Sequence, residues 1–270
     1  LPTGSFVIGL SGISWREVWK YGERAFRYVN LDAGHAWQSI NVSAKMLGWK
    51  LTRLDTIGDS DIETLFGLAQ SQRFSERERG DMLFVVSPEE VSSSLKIDSL
   101  TENIPLVYNS IANKLSPSMQ EWEIIPTIEE ATATEPIVQE TTTRNIPSMK
   151  TTLESKAVIL RRRSIHVMDP VRSLITKDEF HTLLSGVAGS LDSKENAAHL
   201  VLFVHRVEEY DAGLYILVRN PKDLKALQDQ MFSVFAWEET EFENLYLLEK
   251  KDLQLASKTI SCSQEIASDG

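Results

Sequence analysis

Residues 19–49, WKYGERAFRYVNLDAGHAWQSINVSAKMLGW, decide how this chain is read. Phe26, Val29, Ala33, Ala36, Trp37, Ile40, Ala44 and Leu47 recur every three or four residues, which gathers them on one stripe of an α-helix. Gly48 stands where a helix of that register would end, because glycine adopts the left-handed turn that closes a helix at no steric cost. Around the helix start, residues 13–28 alternate aromatics with Arg and Glu, while Ala33, Gly34 and Ala36 leave a flat helix surface. Small residues of that kind admit a planar ligand or another backbone at close range; plain helix–helix packing is the alternative.

Outward from this helix the pattern continues as alternating elements. Residues 5–10 read as a strand before it and residues 50–54 as a short strand after it. Ser60 with Glu63 has the spacing of a capping box, predicting a short helix that stops at Gly67, and residues 81–87 (DMLFVVS) read as a further strand. The order is strand, helix, strand, helix, strand. Residues 127–152, TIEEATATEPIVQETTTRNIPSMKTT, break the rhythm: they are rich in Thr, Glu and Pro, and no aromatic residue lies between Trp122 and Phe180. A segment with so little apolar surface to bury does not offset its ordering entropy, so it is expected to be a flexible linker. It divides the chain into a module over residues 1–126 and another over 153–270.

The second module opens with an expected helix over residues 153–163. Thr176 and Glu179 form another capping box, ahead of Phe180, Leu183 and Leu184 on one expected helix face. Residues 199–206 and 213–219 read as strands joined as a hairpin through an Asp-Ala-Gly turn. Pro221 suits the first position of the helix that follows, residues 245–249 read as a strand and residues 251–260 as a last helix.

Composition narrows the function. The 270 residues are 42% apolar and 25% charged, an ordinary globular mixture. With 28 Lys plus Arg against 39 Asp plus Glu, the net charge of −11 repels a phosphate backbone, so neither nucleic acid nor an anionic membrane is an expected partner. A single cysteine forms no internal disulfide, and the first ten residues lack the basic segment of a signal peptide, which makes a cytoplasmic address the expectation. Both ends read as cut from a longer protein.

Metal and nucleophile motifs are missing from the sequence: no HExxH, GxSxG, P-loop or GxGxxG occurs. Five histidines show no paired ligand spacing; His199 and His205 could share a strand face, with satisfied core or surface histidines as the plainer reading. Cys262 has no neighbour that would lower its pKa and reads as an inert thiol. The run Arg161-Arg162-Arg163-Ser164 is the strongest anion signal, since guanidinium forks pair with phosphate and a following serine adds a hydroxyl and an N–H. At a helix C-terminus the same cations also complement the helix dipole.

The segment at residues 19–49 resembles a helix characteristic of the nitroreductase superfamily of FMN-dependent oxidoreductases, closest to the azoline (thiazole/oxazole) dehydrogenase-like branch. The resemblance runs from about residue 6 to residue 87 and matches the C-terminal half of one such domain. The Arg-Arg-Ser run, ITKDEFHTLL and YDAGLYILVRNP of the second module resemble the N-terminal half of another. The resemblance implies an α+β fold, a nitroreductase-like mixed sheet flanked by helices, present as two incomplete half-domains of a tandem protein. It implies FMN as cofactor, with Arg162, Arg163, Ser164 and His166 at its phosphate and ribityl chain and with Gly34 and His35 near the flavin. A small-molecule or peptide substrate is implied, and an intramolecular pseudo-dimer or homodimer as the assembly, in which the long helix packs on strands of the second module. The sequence departs from the family at the loop that presents glycine N–H groups to the flavin, here Arg53-Leu54-Asp55-Thr56, and at a basic pair replaced by Glu89 and Glu90. Those departures suit a second reading, a degenerate, non-catalytic module that binds a peptide or protein partner.

Overall fold

The computed structural model describes residues 1–102, 108–118, 120, 122–134, 154–169, 171–188 and 198–269. Contacts divide the chain into two units, Leu1–Gln139 and Glu140–Gly270.

The first unit begins with β1 (Phe6–Gly12), α1 (Trp15–Tyr21) and the long α2 (Ala25–Met46). Gly48, at φ +74°, ends α2: its N–H and that of Trp49 bond back to the carbonyls of Lys45 and Ala44, closing the last turn. β2 (Lys50–Arg53), α3 (Asp59–Phe66) and β3 (Arg79–Ser87) follow. The capping box of α3 differs from the expected one. The helix starts at Asp59, Gly58 is the cap, and Asp61 accepts from the Gly58 N–H at 3.3 Å, so Ser60 lies inside the first turn. The helix end at Gly67, φ +68°, is where the sequence placed it.

The three strands form an antiparallel sheet in the order β1-β3-β2. The central strand β3 is buried on both faces, which is why DMLFVVS is apolar without alternation. Leu83 and Val85 pack with Ile62 and Leu65 of α3 and with Leu54, Ile57 and Leu100. Phe84 turns the other way, its ring 6.0 Å from that of Trp37 on α2. The first unit's own sheet therefore covers Trp37, which the sequence left to the second module. The stripe on α2 is half-buried from Phe26 to Ile40, while Leu47 is exposed. Two short helices, α4 (Ile97–Thr101) and α5 (Ile124–Ala131), complete the unit.

α5 corrects part of the linker expectation. Residues 127–131 are helical, and Ile125 of the same helix is buried with Val18 and Ala25. Ile125 and Ile128 supply apolar surface that a count of Thr, Glu and Pro overlooks. The stretch 135–152 lies outside the described residues.

The second unit runs through α6 (Ser155–Arg161), α7 (Lys177–Ala188), β4 (Leu200–Val204), β5 (Gly213–Leu217), α8 (Leu224–Gln230), β6 (Glu238–Glu239), β7 (Leu245–Lys250), α9 (Gln254–Ile260) and α10 (Ile266–Asp269). Both arms of the second capping box form: the Thr176 N–H donates to Glu179 at 2.9 Å, and the Glu179 N–H donates to the Thr176 hydroxyl at 3.2 Å. The Thr176 N–H, together with the Thr176 hydroxyl donating to the same carboxylate at 3.0 Å, holds the Glu179 carboxyl below its ordinary pKa. Phe180 and Leu184 of α7 are buried, whereas Leu183 points outward, one hundred degrees around the helix from Leu184 by about 3.6 residues per turn. The strands form an antiparallel sheet, β4-β5-β7-β6. Tyr215, Leu217, Leu245 and Leu247 face α7, and Ile216, Val218, Tyr246 and Leu248 face Leu224 and Leu227 of α8. The architecture is α+β, helices on both faces of each sheet. Every ladder among the described strands is antiparallel; a parallel contact occurs only as the bridge Ile175–Val207.

Candidate functional site

The anion-binding candidates lie together just beyond α6. Arg162 closes that helix, and Arg162, Arg163, Ser164 and His166 are all exposed. The Arg163 guanidinium folds back, one nitrogen donating to the carbonyls of Leu160 at 3.0 Å and Arg162 at 2.8 Å. Arg163 thus serves the carbonyl end of the helix, the second of the two roles open to it from sequence. Arg162 and Ser164 have no side-chain partner among the described residues and face solvent.

Gly34 and His35 belong to the first unit, at mid-length on α2. A side chain added at Gly34 would meet nothing within 4 Å, so no close approach there requires glycine within this unit. His35 is exposed, and its carbonyl accepts from Ser39 in ordinary helix geometry. The loop after β2 is committed to the fold. Leu54 is 2% exposed and its N–H donates to Leu83 at 2.9 Å, while Thr56 donates to the carbonyls of Leu95 at 2.8 Å and Ser93 at 3.3 Å. Arg53 pairs with Asp55 at 3.0 Å and lies over the Trp37 ring. A flavin ring needs free backbone donors, and this loop has its Leu54 donor occupied and a carboxylate beside it. The Leu54 N–H is therefore not open to a ring, whereas the exposed Arg162 and Ser164 have the donors a phosphate takes.

Glu76, Asp81 and His181 were not singled out from sequence. Glu76, 4% exposed, receives Arg16 at 2.7 Å and the Leu115 N–H at 2.8 Å, tying α1 to the segment before α5. Asp81, at the head of the apolar run in β3, has a buried carboxylate oxygen with no hydrogen-bond partner, and burial raises its pKa to about 6. The available signal was a lone acid directly before the apolar run Met82-Leu83-Phe84. His199 and His205 flank β4, each held internally. His199 accepts from the Arg219 N–H and lies 3.3 Å from Asp223; His205 meets the Ala267 carbonyl at 3.0 Å and the buried Ser257 hydroxyl at 3.3 Å. His181 meets the Tyr210 hydroxyl at 2.8 Å, between Phe180 and Phe242. No group of three or more His, Cys, Asp or Glu among the described residues could hold a metal ion. A cavity of about 280 Å³ lies between β1 and the segment after α3, walled by Leu10, Phe66, Leu68 and Phe74. Its Arg73 is engaged with the carbonyls of Ser110 at 2.7 Å and Gly67 at 3.0 Å. Among the described residues no helix is long and apolar enough to cross a membrane.

This arrangement of two antiparallel sheets with flanking helices is a nitroreductase-like α+β fold. It is similar to the crystal structure of a candidate nitroreductase from Anabaena variabilis, with a TM-score of 0.59 at 16% identity. The alignment covers 97% of this chain and 53% of the other, so the chain spans about half the length of that neighbour. At that identity the likeness establishes the fold alone. No family profile matches the sequence, and no curated protein does either.

Proposed function

We propose that the chain is part of an FMN-dependent oxidoreductase of nitroreductase type, to which it contributes phosphate anchoring. The likeness of fold over 97% of the chain carries this reading, together with the exposed Arg162 and Ser164. The cofactor would supply hydride transfer to a small-molecule or peptide substrate. The residues of this chain would hold the phosphate through charge-assisted hydrogen bonds from Arg162, the remaining donors of Arg163, and Ser164, with His166 alongside. The azoline dehydrogenase-like branch, the tandem arrangement of two half-domains, the pseudo-dimer or homodimer and a cytoplasmic location belong to the same proposal. The committed donors at residues 53–56 favour a second reading, a degenerate module that binds a peptide or protein partner without redox chemistry.

Fluorescence titration of FMN with this chain separates the two. Two charge-assisted bonds at roughly 1.5–3 kcal/mol each correspond to a dissociation constant on the order of millimolar. The first reading expects weak quenching that disappears in Arg162→Ala and is competed by inorganic phosphate. No quenching at millimolar FMN would favour the degenerate module, and tight stoichiometric quenching that survives Arg162→Ala would refute the assigned site.

A further inference from the structure

The cavity beside β1 has walls and charges of its own. Leu10, Phe66, Leu68 and Phe74 supply apolar surface, and Arg73 and Glu78 are the charged residues of the lining. The Phe66 ring lies against Gly9 of β1, where a methyl would come within 2.3 Å of it. Glycine at that position lets the ring pack on the strand and leaves the cavity open. Arg73 is committed to the protein. Its Nε and one Nη donate to the Ser110 carbonyl and hydroxyl at 2.7 and 3.1 Å, and its other Nη donates to the Gly67 carbonyl at 3.0 Å. The same guanidinium lies over the rings of Phe74 and Tyr108, 5.2 and 5.0 Å from their centroids. Glu78, half-buried, is only partly engaged. One carboxylate oxygen accepts the Ser11 hydroxyl at 2.5 Å, and the other has no hydrogen bond or ion pair among the described residues.

We propose that this cavity binds a small primary amine carrying one aromatic ring, with the ring against Phe66 and Phe74 and the ammonium on the second oxygen of Glu78. A dry cavity of about 150 Å³ accepts benzene. At about 280 Å³, this one has room for such a ring and a short alkyl arm. Two aromatic walls favour a ring over an alkyl chain, because rings add edge and offset contacts to the area they bury. The carboxylate decides the charge: an ammonium forms a charge-assisted hydrogen bond with it, a hydroxyl forms a weaker one, and an anion is repelled. Arg73 opposes a cation, but its N–H groups already meet oxygens whose partial charges offset it. The net charge of −11 acts in the same direction as Glu78, drawing cations to the surface. The site uses none of the residues assigned to the FMN phosphate, so it stands independently of that reading.

Heteronuclear NMR of the full chain titrated with phenethylamine tests the site, with phenethyl alcohol and phenylacetate as neutral and anionic probes of similar size. The amine should shift the amides of Gly9, Leu10, Leu68 and Ala112 saturably, with a dissociation constant on the order of 1 mM. The alcohol should bind about tenfold more weakly, and the anion more weakly again. Glu78→Gln keeps an acceptor for Ser11 and removes the charge; it should weaken the amine about tenfold and leave the amine and the alcohol equal. Gly9→Ala turns the Phe66 ring into the cavity and should remove the binding of all three probes. Should Glu78→Gln fail to fold, Gly9→Ala and the order of the three probes decide the matter. No saturable shift up to about 10 mM amine, or shifts confined to other residues, would overturn the proposal. So would phenylacetate binding as tightly as the amine, or an unchanged amine affinity in either variant that folds.

Discussion

Replacing Glu76 by alanine removes the most deeply buried ion pair of the first unit. The Glu76 side chain is 3% exposed and that of Arg16 27%. Arg16 would be left with Asn113 alone, at 3.3 Å from both its carbonyl and side-chain oxygens, and the Leu115 N–H would lose its acceptor at 2.8 Å. Breaking a buried pair from one side costs about 3–5 kcal/mol; because Arg16 retains some access to water, the lower end, about 3 kcal/mol, is expected. Glu76→Gln keeps the shape and an oxygen for Leu115 while losing the charge, so about half that cost is expected. Five of the six tryptophans, at positions 15, 19, 37, 49 and 122, belong to the first unit, so tryptophan emission during urea unfolding reports mainly on it. With a slope of about 2 kcal/mol/M, Glu76→Ala should lower the midpoint by about 1.5 M. A midpoint within about 0.3 M of the unsubstituted chain, or equal losses for Ala and Gln, would refute the reasoning that a buried charge pair ties these segments together.

Two glycines make a matched test of how a neighbour yields. A methyl at Gly9 would fall 2.3 Å from the Phe66 ring, but that ring borders the cavity beside β1 and can swing, so Gly9→Ala should cost about 1 kcal/mol in the same urea assay. At Gly213 the methyl would lie 2.3 Å from the Glu249 carbonyl in the paired strand, where only backbone can move; Gly213→Ala should cost about 3 kcal/mol, measured by thermal unfolding followed in the far-ultraviolet. Equal costs at the two positions would show that the identity of the neighbour does not matter.

Much of the local chemistry was legible in the sequence, because it acts between residues near one another in the chain, although at α3 the cap is Gly58 with Asp61 and not Ser60 with Glu63. The stripe over residues 26–47, the left-handed glycines at 48 and 67, the Thr176–Glu179 capping box and the Asp-Ala-Gly hairpin follow from repeating turns, one permissive residue type and side chains within a few positions of their backbone partners. The α+β class was what the family resemblance implied, and the antiparallel ladders agree with it. Tertiary structure decided what distance along the chain conceals. Ser14 and Glu129 are 115 positions apart and Arg16 and Glu76 are 60 apart, so no periodicity announces either pair. The Arg161–Ser164 run had two physical uses, and only the folded backbone placed Arg163 on the helix carbonyls. The loop at residues 53–56 lacked glycine in the sequence; its folded state further shows the Leu54 N–H and the Thr56 hydroxyl already bonded. A residue type fixes which bonds a group is able to make, and the packing of distant segments decides which of them are made.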